Sequence, residues 1–270
     1  MNQYKNVNEL WAAVVNGDTK PAVSDFFVTG ASYIYQTTQF PDSSTKYHNY
    51  YLLLRVGAYF GACSHVPEQL GVDAAGELSG KALKSCLTDP RLPVRIAAMD
   101  AYFGTVYPHE RQCSKAVELP GGTPTEKAEF RDNLIADIAK VEQGMKIALI
   151  GVVNPLVAAI RKRGGTCLPC DLQMERTQWG DPVEKDMEKV LDSADGVICT
   201  GMTLSNGTFD RVIERVLERS IPLTVYAQTG SAVAARFVGA GITSLVAEPF
   251  PFSQFSANAT RVFCYRGQGD

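Results

Sequence analysis

From Met145 onward the chain alternates between short runs of Val, Ile, Leu and Ala and longer stretches with apolar residues every three or four positions. The pattern predicts strands over 146–150, 166–170, 197–200, 223–226 and 244–246, and helices over 155–162, 183–191, 209–218 and 232–238. A strand followed by a helix and then by another strand returns to the same sheet by a crossover, so sustained alternation calls for parallel pairing. Strands in such a sheet are covered on both faces, which is why they read as continuous apolar runs. The expected fold class is α/β, a Rossmann-like parallel sheet with helices on both faces.

The first half reads differently. Residues 7–16 have apolar groups at helical spacing and stop at Gly17. Runs rich in Phe, Tyr, Val and Thr over 22–40 and 50–60, separated by Pro41, Asp42, Ser43 and Ser44, predict an antiparallel hairpin or meander. Helices are expected over 79–87 and 93–107, the second with Pro93 at its start. A Gly- and Pro-rich loop at 119–124 precedes a helix over 125–141 in which Phe130, Leu134, Ile138 and Val141 fall on one face. We therefore place a smaller α+β domain at 1–122 and the Rossmann-like domain at 123–270. The helix over 125–141 is expected to be the hinge, with the first domain folded over the carboxyl edge of the sheet. A homodimer is expected from the symmetry statistics of soluble oligomers alone.

Composition removes several function classes. The 270 residues are 45% hydrophobic, enough to bury a full core. A formal charge of -3 leaves no electrostatic footprint for nucleic acid. No window approaches about 18 consecutive apolar residues, so no membrane span is expected. Asn2, Lys5, Glu9 and Asp18 replace the apolar centre of a signal peptide. Seven cysteines, an odd number scattered through strands and helices, fit reduced thiols, and a cytoplasmic protein is expected.

Ligands of open α/β sheets gather at the carboxyl edge, where the stretch from Asp195 to Asp210 places Thr200, Gly201, Met202, Thr203, Leu204, Ser205, Asn206 and Thr208. So many hydroxyl and amide groups suit a small polar ligand. A turn plus a helix cap, from Asn206 or Thr208, explains only part of them. The first βα turn, Gly151-Val152-Val153-Asn154-Pro155, is not the dinucleotide fingerprint, because Val153 and Leu156 stand where its second and third glycines would be. Asp171 follows Gly151 by twenty residues, the position from which a carboxylate accepts two ribose hydroxyls; a solvated Asp at a strand end is the plainer alternative. An adenosine compound without pyrophosphate satisfies both observations, and S-adenosylmethionine is the candidate cofactor. The expected ligand-binding residues are Gly151 and Asn154 through backbone and amide, Asp171 on the ribose, and Thr200, Gly201, Met202, Thr203, Leu204 and Asn206 as the floor. No catalytic residue is assigned.

Cys167-Leu168-Pro169-Cys170 invites a metal or redox reading, but residues three apart on a strand point to opposite faces and no second such pair or nearby His completes a site. No metal ligand is assigned, and metal binding stays open. His48, His65 and His109 lie at unrelated spacings and suit surface or domain contacts, although His65 near Cys63 could join an interface site. Asp100 and Glu248 sit among apolar or small residues, where burial raises a carboxyl pKa; a cap or an ion pair is the alternative. Tyr33, Tyr35, Tyr50, Tyr51, Tyr102, Phe103 and Tyr107 make the first half aromatic-rich. Core packing accounts for such residues by default, and a wall of ring faces would also attract a sulfonium cation.

Three stretches, Ala148-Leu149-Ile150-Gly151, the run from Ser193 to Thr208 with its T-G-x-T-L-x-N-G-T string, and Phe237-Val238-Gly239-Ala240-Gly241-Ile242, resemble the bacterial and archaeal family described as "putative heavy-metal chelation" proteins. Gly80-Lys81-Ala82-Leu83 and Ala97-Ala98-Met99-Asp100-Ala101-Tyr102 resemble its N-terminal signature. The resemblance implies an enolase-N-terminal-like domain followed by a Rossmann-like one. It also implies two departures: this chain has Asp100 where the family usually has Asn, and Ala227-Gln228-Thr229-Gly230-Ser231 where the family has a Gly-Pro-Ser/Thr turn. The expected function is a small-molecule enzyme acting on S-adenosylmethionine by transfer or by internal displacement at the sulfonium. The alternative is a non-catalytic heavy-metal or metal-complex binding protein.

Overall fold

The computed structural model describes residues 4–39 and 46–267; the expected turn at Pro41, Asp42, Ser43 and Ser44 lies outside them. Helix α1 (Val7–Asn16) is capped by the Asn6 side chain, which accepts the Glu9 N–H, and ends at Gly17 in the left-handed conformation. Strands β1 (Gly30–Gln39), β2 (Lys46–Val56) and β3 (Tyr59–His65) form an antiparallel sheet in that order. Helices α2 (Ala74–Leu78), α3 (Leu83–Leu87), α4 (Leu92–Val106) and α5 (His109–Gln112) follow. The single helix expected over 79–87 is broken. Gly80, at φ +82°, and Lys81 exchange backbone hydrogen bonds with Val28, which no continuous helix permits.

Helix α4 lies directly on β2 and β3. The closeness has a simple cause: a Cβ on Gly61 would meet the Ala101 nitrogen at 2.1 Å, so only glycine lets the helix backbone settle on the strand.

The larger sheet uses β4 (Lys115–Leu119), β5 (Lys146–Ile150), β6 (Thr166–Cys170), β7 (Gly196–Thr200), β8 (Leu223–Ala227), β9 (Ser244–Ala247) and β10 (Thr260–Arg266), in the order β4-β10-β9-β8-β7-β5-β6. The five strands β5 to β9 are parallel, as the alternation requires. The edge pair is new. β10 runs antiparallel to both β9 and β4, and β4 comes from the segment assigned to the first domain.

The intervening helices are α6 (Pro124–Ile138), α7 (Asn154–Lys162), α8 (Met187–Ser193), α9 (Met202–Ser205), α10 (Phe209–Arg219) and α11 (Ser231–Ala234). The helix expected over 183–191 starts only at Met187, because Val183 and Glu184 give their N–H groups to Glu175 and Pro169 in an extended segment beside β6. The one expected over 232–238 is a single α turn followed by a 3-10 turn, Ala235–Phe237. Of the face expected on α6, Ile138 and Val141 are buried and Leu134 half-buried, but Phe130 is 43% exposed, while Lys127, Ala128, Asp132, Ile135 and Ala136 are buried, so the inward face is wider than expected and carries charge.

The core is continuous across the two halves. Leu52, Ala97 and Tyr102 belong to the same buried cluster as Ala148, Cys199, Val225 and Phe237 on one face of the large sheet. The other face packs Ile147, Leu149 and Ile198 against Ile135, Leu156 and Ile160 of α6 and α7.

Candidate functional site

The parallel strands run in the order β6-β5-β7-β8-β9, so the chain leaves β5 in one direction to make β6 and crosses back in the other to make β7. The carboxyl ends of β5 and β7 flank the crevice this reversal leaves, the usual ligand position in such sheets. Here the turns are pressed together. Gly151 has φ +85° and a Cβ there would meet Thr200 Oγ1 at 2.5 Å; a Cβ on Gly201 would meet the Thr229 carbonyl at 2.3 Å. Both glycines therefore serve turn-to-turn contact.

The three-stranded sheet lies over this edge and forms one side of a half-open cavity of about 160 Å³. Tyr47, Asn49 and Tyr51 of β2 form one wall, Lys127 and Arg131 of α6 a second, and Thr200, Gly201, Met202, Tyr226, Gln228 and Gln254 much of the rest. Contacts across the two halves hold the roof in place. The Tyr47 hydroxyl accepts the Asn154 Nδ2 group at 3.0 Å, Ser64 and Ser205 share a hydroxyl contact at 3.2 Å, and Gln254 Nε2 reaches Tyr51 at 3.4 Å.

Helix α6 supplies the cations. A capping box between Thr123 and Glu126 starts it, and Pro124 occupies its first turn. Lys127, 2% exposed, donates from Nζ to the Ser256 carbonyl at 2.8 Å and to that of Asn258, fixing the segment after β9. Arg131 donates from Nε to Asp132 Oδ1 at 2.8 Å and stacks its guanidinium 4.9 Å above the Tyr226 ring. Burial alone would pull the guanidinium pKa down, yet Asp132, Tyr226 and Glu248 together hold it above its ordinary value. Beneath, Tyr226 and Gln228 both donate to Glu248 Oε2, at 2.5 and 3.0 Å. Burial first, and Glu248 with it, pushes the Tyr226 phenol up, so the ring stays neutral.

Of the residues expected from sequence, Thr200, Gly201 and Met202 line the cavity. Thr200 Oγ1 is buried without a hydrogen-bond partner among the described residues. Thr203 and Leu204 do not line it: their stretch is a helical turn, with the Thr203 hydroxyl given to the Thr200 carbonyl at 2.8 Å and Leu204 in the core. Asn206 is exposed, its Oδ1 accepting the N–H and hydroxyl of Thr208 at 3.1 and 2.7 Å. Asn154 is buried and acts at one remove, holding Tyr47 and accepting the Gln178 N–H at 3.1 Å. Asp171 also stands outside the cavity lining. Its carboxylate accepts the N–H groups of Val152, Gln173 and Met174 at 2.9, 2.8 and 3.0 Å. A carboxylate offers about four acceptor sites, so it has room for one further hydroxyl, not two.

Elsewhere, Asp100 is buried and pushed up to about 7 by desolvation, against the pull of backbone N–H groups from Ala62 and Ala232. His109 is pulled down to about 3, chiefly by burial; its Nδ1 meets the Tyr265 hydroxyl at 2.6 Å and its Nε2 the Ser231 hydroxyl at 3.1 Å. Burial pushes the Cys167 and Cys170 thiols up to about 12 and 11. Among the described residues no three His, Cys, Asp or Glu side chains come together as a metal site, and no helix is long and apolar enough to cross a membrane.

A Rossmann-like sheet roofed by an antiparallel meander, with a cavity between them, is thus the class of protein to which the chain conforms. Residues 133–243 match the model of the family described as "Putative heavy-metal chelation". Two crystal structures of proteins of unknown function from the same family share the whole fold. The one from Desulfitobacterium hafniense is 16% identical, with 96% of this chain and 97% of that one aligned at a TM-score of 0.62. The one from Pyrococcus horikoshii is 12% identical, with 95% and 99% aligned at 0.56. No functionally curated protein matches the sequence.

Proposed function

We propose that the chain is a small-molecule enzyme that binds S-adenosylmethionine in the cavity between the meander and the carboxyl edge of the sheet, for transfer or internal displacement at the sulfonium. The observation that carries this reading is the position of the cavity: it sits at the topological switch point and is walled by both halves of the chain. The amino-acid end of such a molecule would enter the cavity. The adenosine would extend past Val153 and Pro155 toward the Gly151 turn, where Asp171 can accept one ribose hydroxyl. The phenol faces of Tyr47 and Tyr51 suit a sulfonium, and a neutral Tyr226 avoids a competing charge. Calorimetric titration with S-adenosylmethionine, NAD and ATP tests the reading. Binding of the first alone supports it, and no binding of any of the three removes it.

A further inference from the structure

We propose that Arg131 is the anion-recognition group of the cavity and that the ligand, whatever its remaining structure, presents a carboxylate or similar anion to it. Among the described residues two cations line the cavity, Lys127 and Arg131, and no carboxylate does. They are not equivalent. Lys127 has its Nζ surrounded by the carbonyls of Ser253, Ser256 and Asn258, so its donors are already directed at backbone. Arg131 uses only Nε, toward Asp132, and its two terminal nitrogens have no hydrogen-bond partner among the described residues. Those nitrogens form the planar fork that pairs with a carboxylate through two parallel hydrogen bonds.

The surroundings hold the fork in one orientation. Asp132 fixes one edge of the guanidinium, the Tyr226 ring lies against its face at 4.9 Å, and Glu248 fixes the Tyr226 hydroxyl at 2.5 Å. The Arg131 side chain is only 12% exposed, so bulk water weakens its attraction for an anion far less than at an open surface. Gln228 and Gln254, bonded to each other at 2.7 Å, bring neutral amides to the same cavity and complete a site suited to a polar acid. The inference shares with the proposed function only the choice of this cavity.

The test compares S-adenosylmethionine with its decarboxylated analogue, 5′-methylthioadenosine, L-methionine and inorganic phosphate, on the native protein and on the double variant Arg131→Met/Asp132→Asn. The second change avoids leaving the buried Asp132 carboxylate without its cation. Native protein should prefer S-adenosylmethionine over the decarboxylated form by about tenfold or more, and the variant should lose that preference. Affinity for 5′-methylthioadenosine, which has no carboxylate, should not change. If no adenosyl compound binds but methionine or phosphate does, and only to native protein, the adenosine reading fails and the anion site stands. Equal affinity for the carboxylated and decarboxylated forms, or no binding of any of these anions at millimolar concentration, overturns the inference. Arg131→Lys, which keeps the charge and loses the fork, gives the same comparison should the double variant not fold, and should show a reduced preference.

Discussion

Asp100 accepts the backbone N–H of Ala232 on one carboxylate oxygen at 2.7 Å and that of Ala62 on the other at 2.8 Å. Ala232 is in the first turn of α11 and Ala62 is in β3, so one buried side chain on α4 ties the meander to the end of the large sheet. Asn, the residue the family resemblance would put here, has one acceptor oxygen and would turn its amide toward the other N–H, whereas the Asp100 carboxyl keeps an accepting oxygen there even when protonated. Asp100→Asn should therefore cost about 1–3 kcal/mol. Urea unfolding at pH 5 measures it, and a cost below the error of the measurement would show that the two contacts hold nothing together.

The same residue predicts a pH dependence. Its carboxyl, raised to about 7 by burial, is protonated more readily in the folded chain than in the unfolded one. Such a group contributes stability fully below its ordinary pKa of about 3.8, and the contribution is lost as pH rises through about 7. Native protein should thus lose stability relative to Asp100→Asn between pH 5 and pH 8. A gain over that interval would mean that the backbone N–H groups outweigh desolvation.

Gly61→Ala tests the approach of α4 to β3. The new methyl would have to lie 2.1 Å from the Ala101 nitrogen and 2.3 Å from the Ala97 carbonyl, both backbone atoms that cannot swing aside. Overpacking of this kind costs about 1–3 kcal/mol. The melting temperature should fall, and a Gly17→Ala control, at φ +83° with open space around it, separates steric overlap from backbone strain.

Lys127→Met should loosen one wall of the cavity. The methyl end fills a similar volume but gives nothing to the carbonyls of Ser253, Ser256 and Asn258, and buried acceptors left without donors cost about 1–3 kcal/mol. Hydrogen exchange should quicken in the segment around 253–258 before it changes elsewhere. Uniform quickening would show that Lys127 supports the whole fold rather than this segment.

How much of this was legible follows from which residues carry the signal. The parallel strands were readable because Ile147 to Ile150 and Val197 to Cys199 are apolar on both faces, and burial on both faces is the reason. The edge strand β4 was not, since Lys115, Ala116 and Glu118 are exposed and leave no apolar run, whereas β10 has the buried run Val262 to Tyr265 but no α-helix before it to mark it as part of the alternation. The site was legible only at Thr200, Gly201 and Met202, where turn chemistry marks a strand end. Arg131, Lys127 and Tyr47 were missed because a charged residue on a helix, or a Tyr on a strand, looks the same in sequence whether it faces water or a cavity. One hint was present: between Lys127 and Asp132 the inward face of α6 carries charges where an amphipathic helix would place apolar groups.

The expectation that Asp171 and Asn206 both touch the ligand now divides into two unlike predictions. Asp171 joins the end of β6 to the β5 turn by accepting three backbone N–H groups, so Asp171→Ala should cost about 1.5–3 kcal/mol of stability whether or not a ligand is present. Its one remaining acceptor site can serve a ribose hydroxyl, which would add a loss of about tenfold in affinity for S-adenosylmethionine. Asn206 uses only its oxygen, for the Thr208 N–H and hydroxyl, so Asn206→Asp should keep the turn while Asn206→Ala loses about 0.5–1.5 kcal/mol per bond. Neither Asn206 change should alter ligand affinity, because the residue is exposed and outside the cavity lining. Chemical denaturation and calorimetry on the three variants decide the matter. Unchanged affinity in Asp171→Ala would remove the ribose contact, and weakened binding in Asn206→Asp, with stability intact, would place the ligand on the 202–206 turn instead of between the meander and α6.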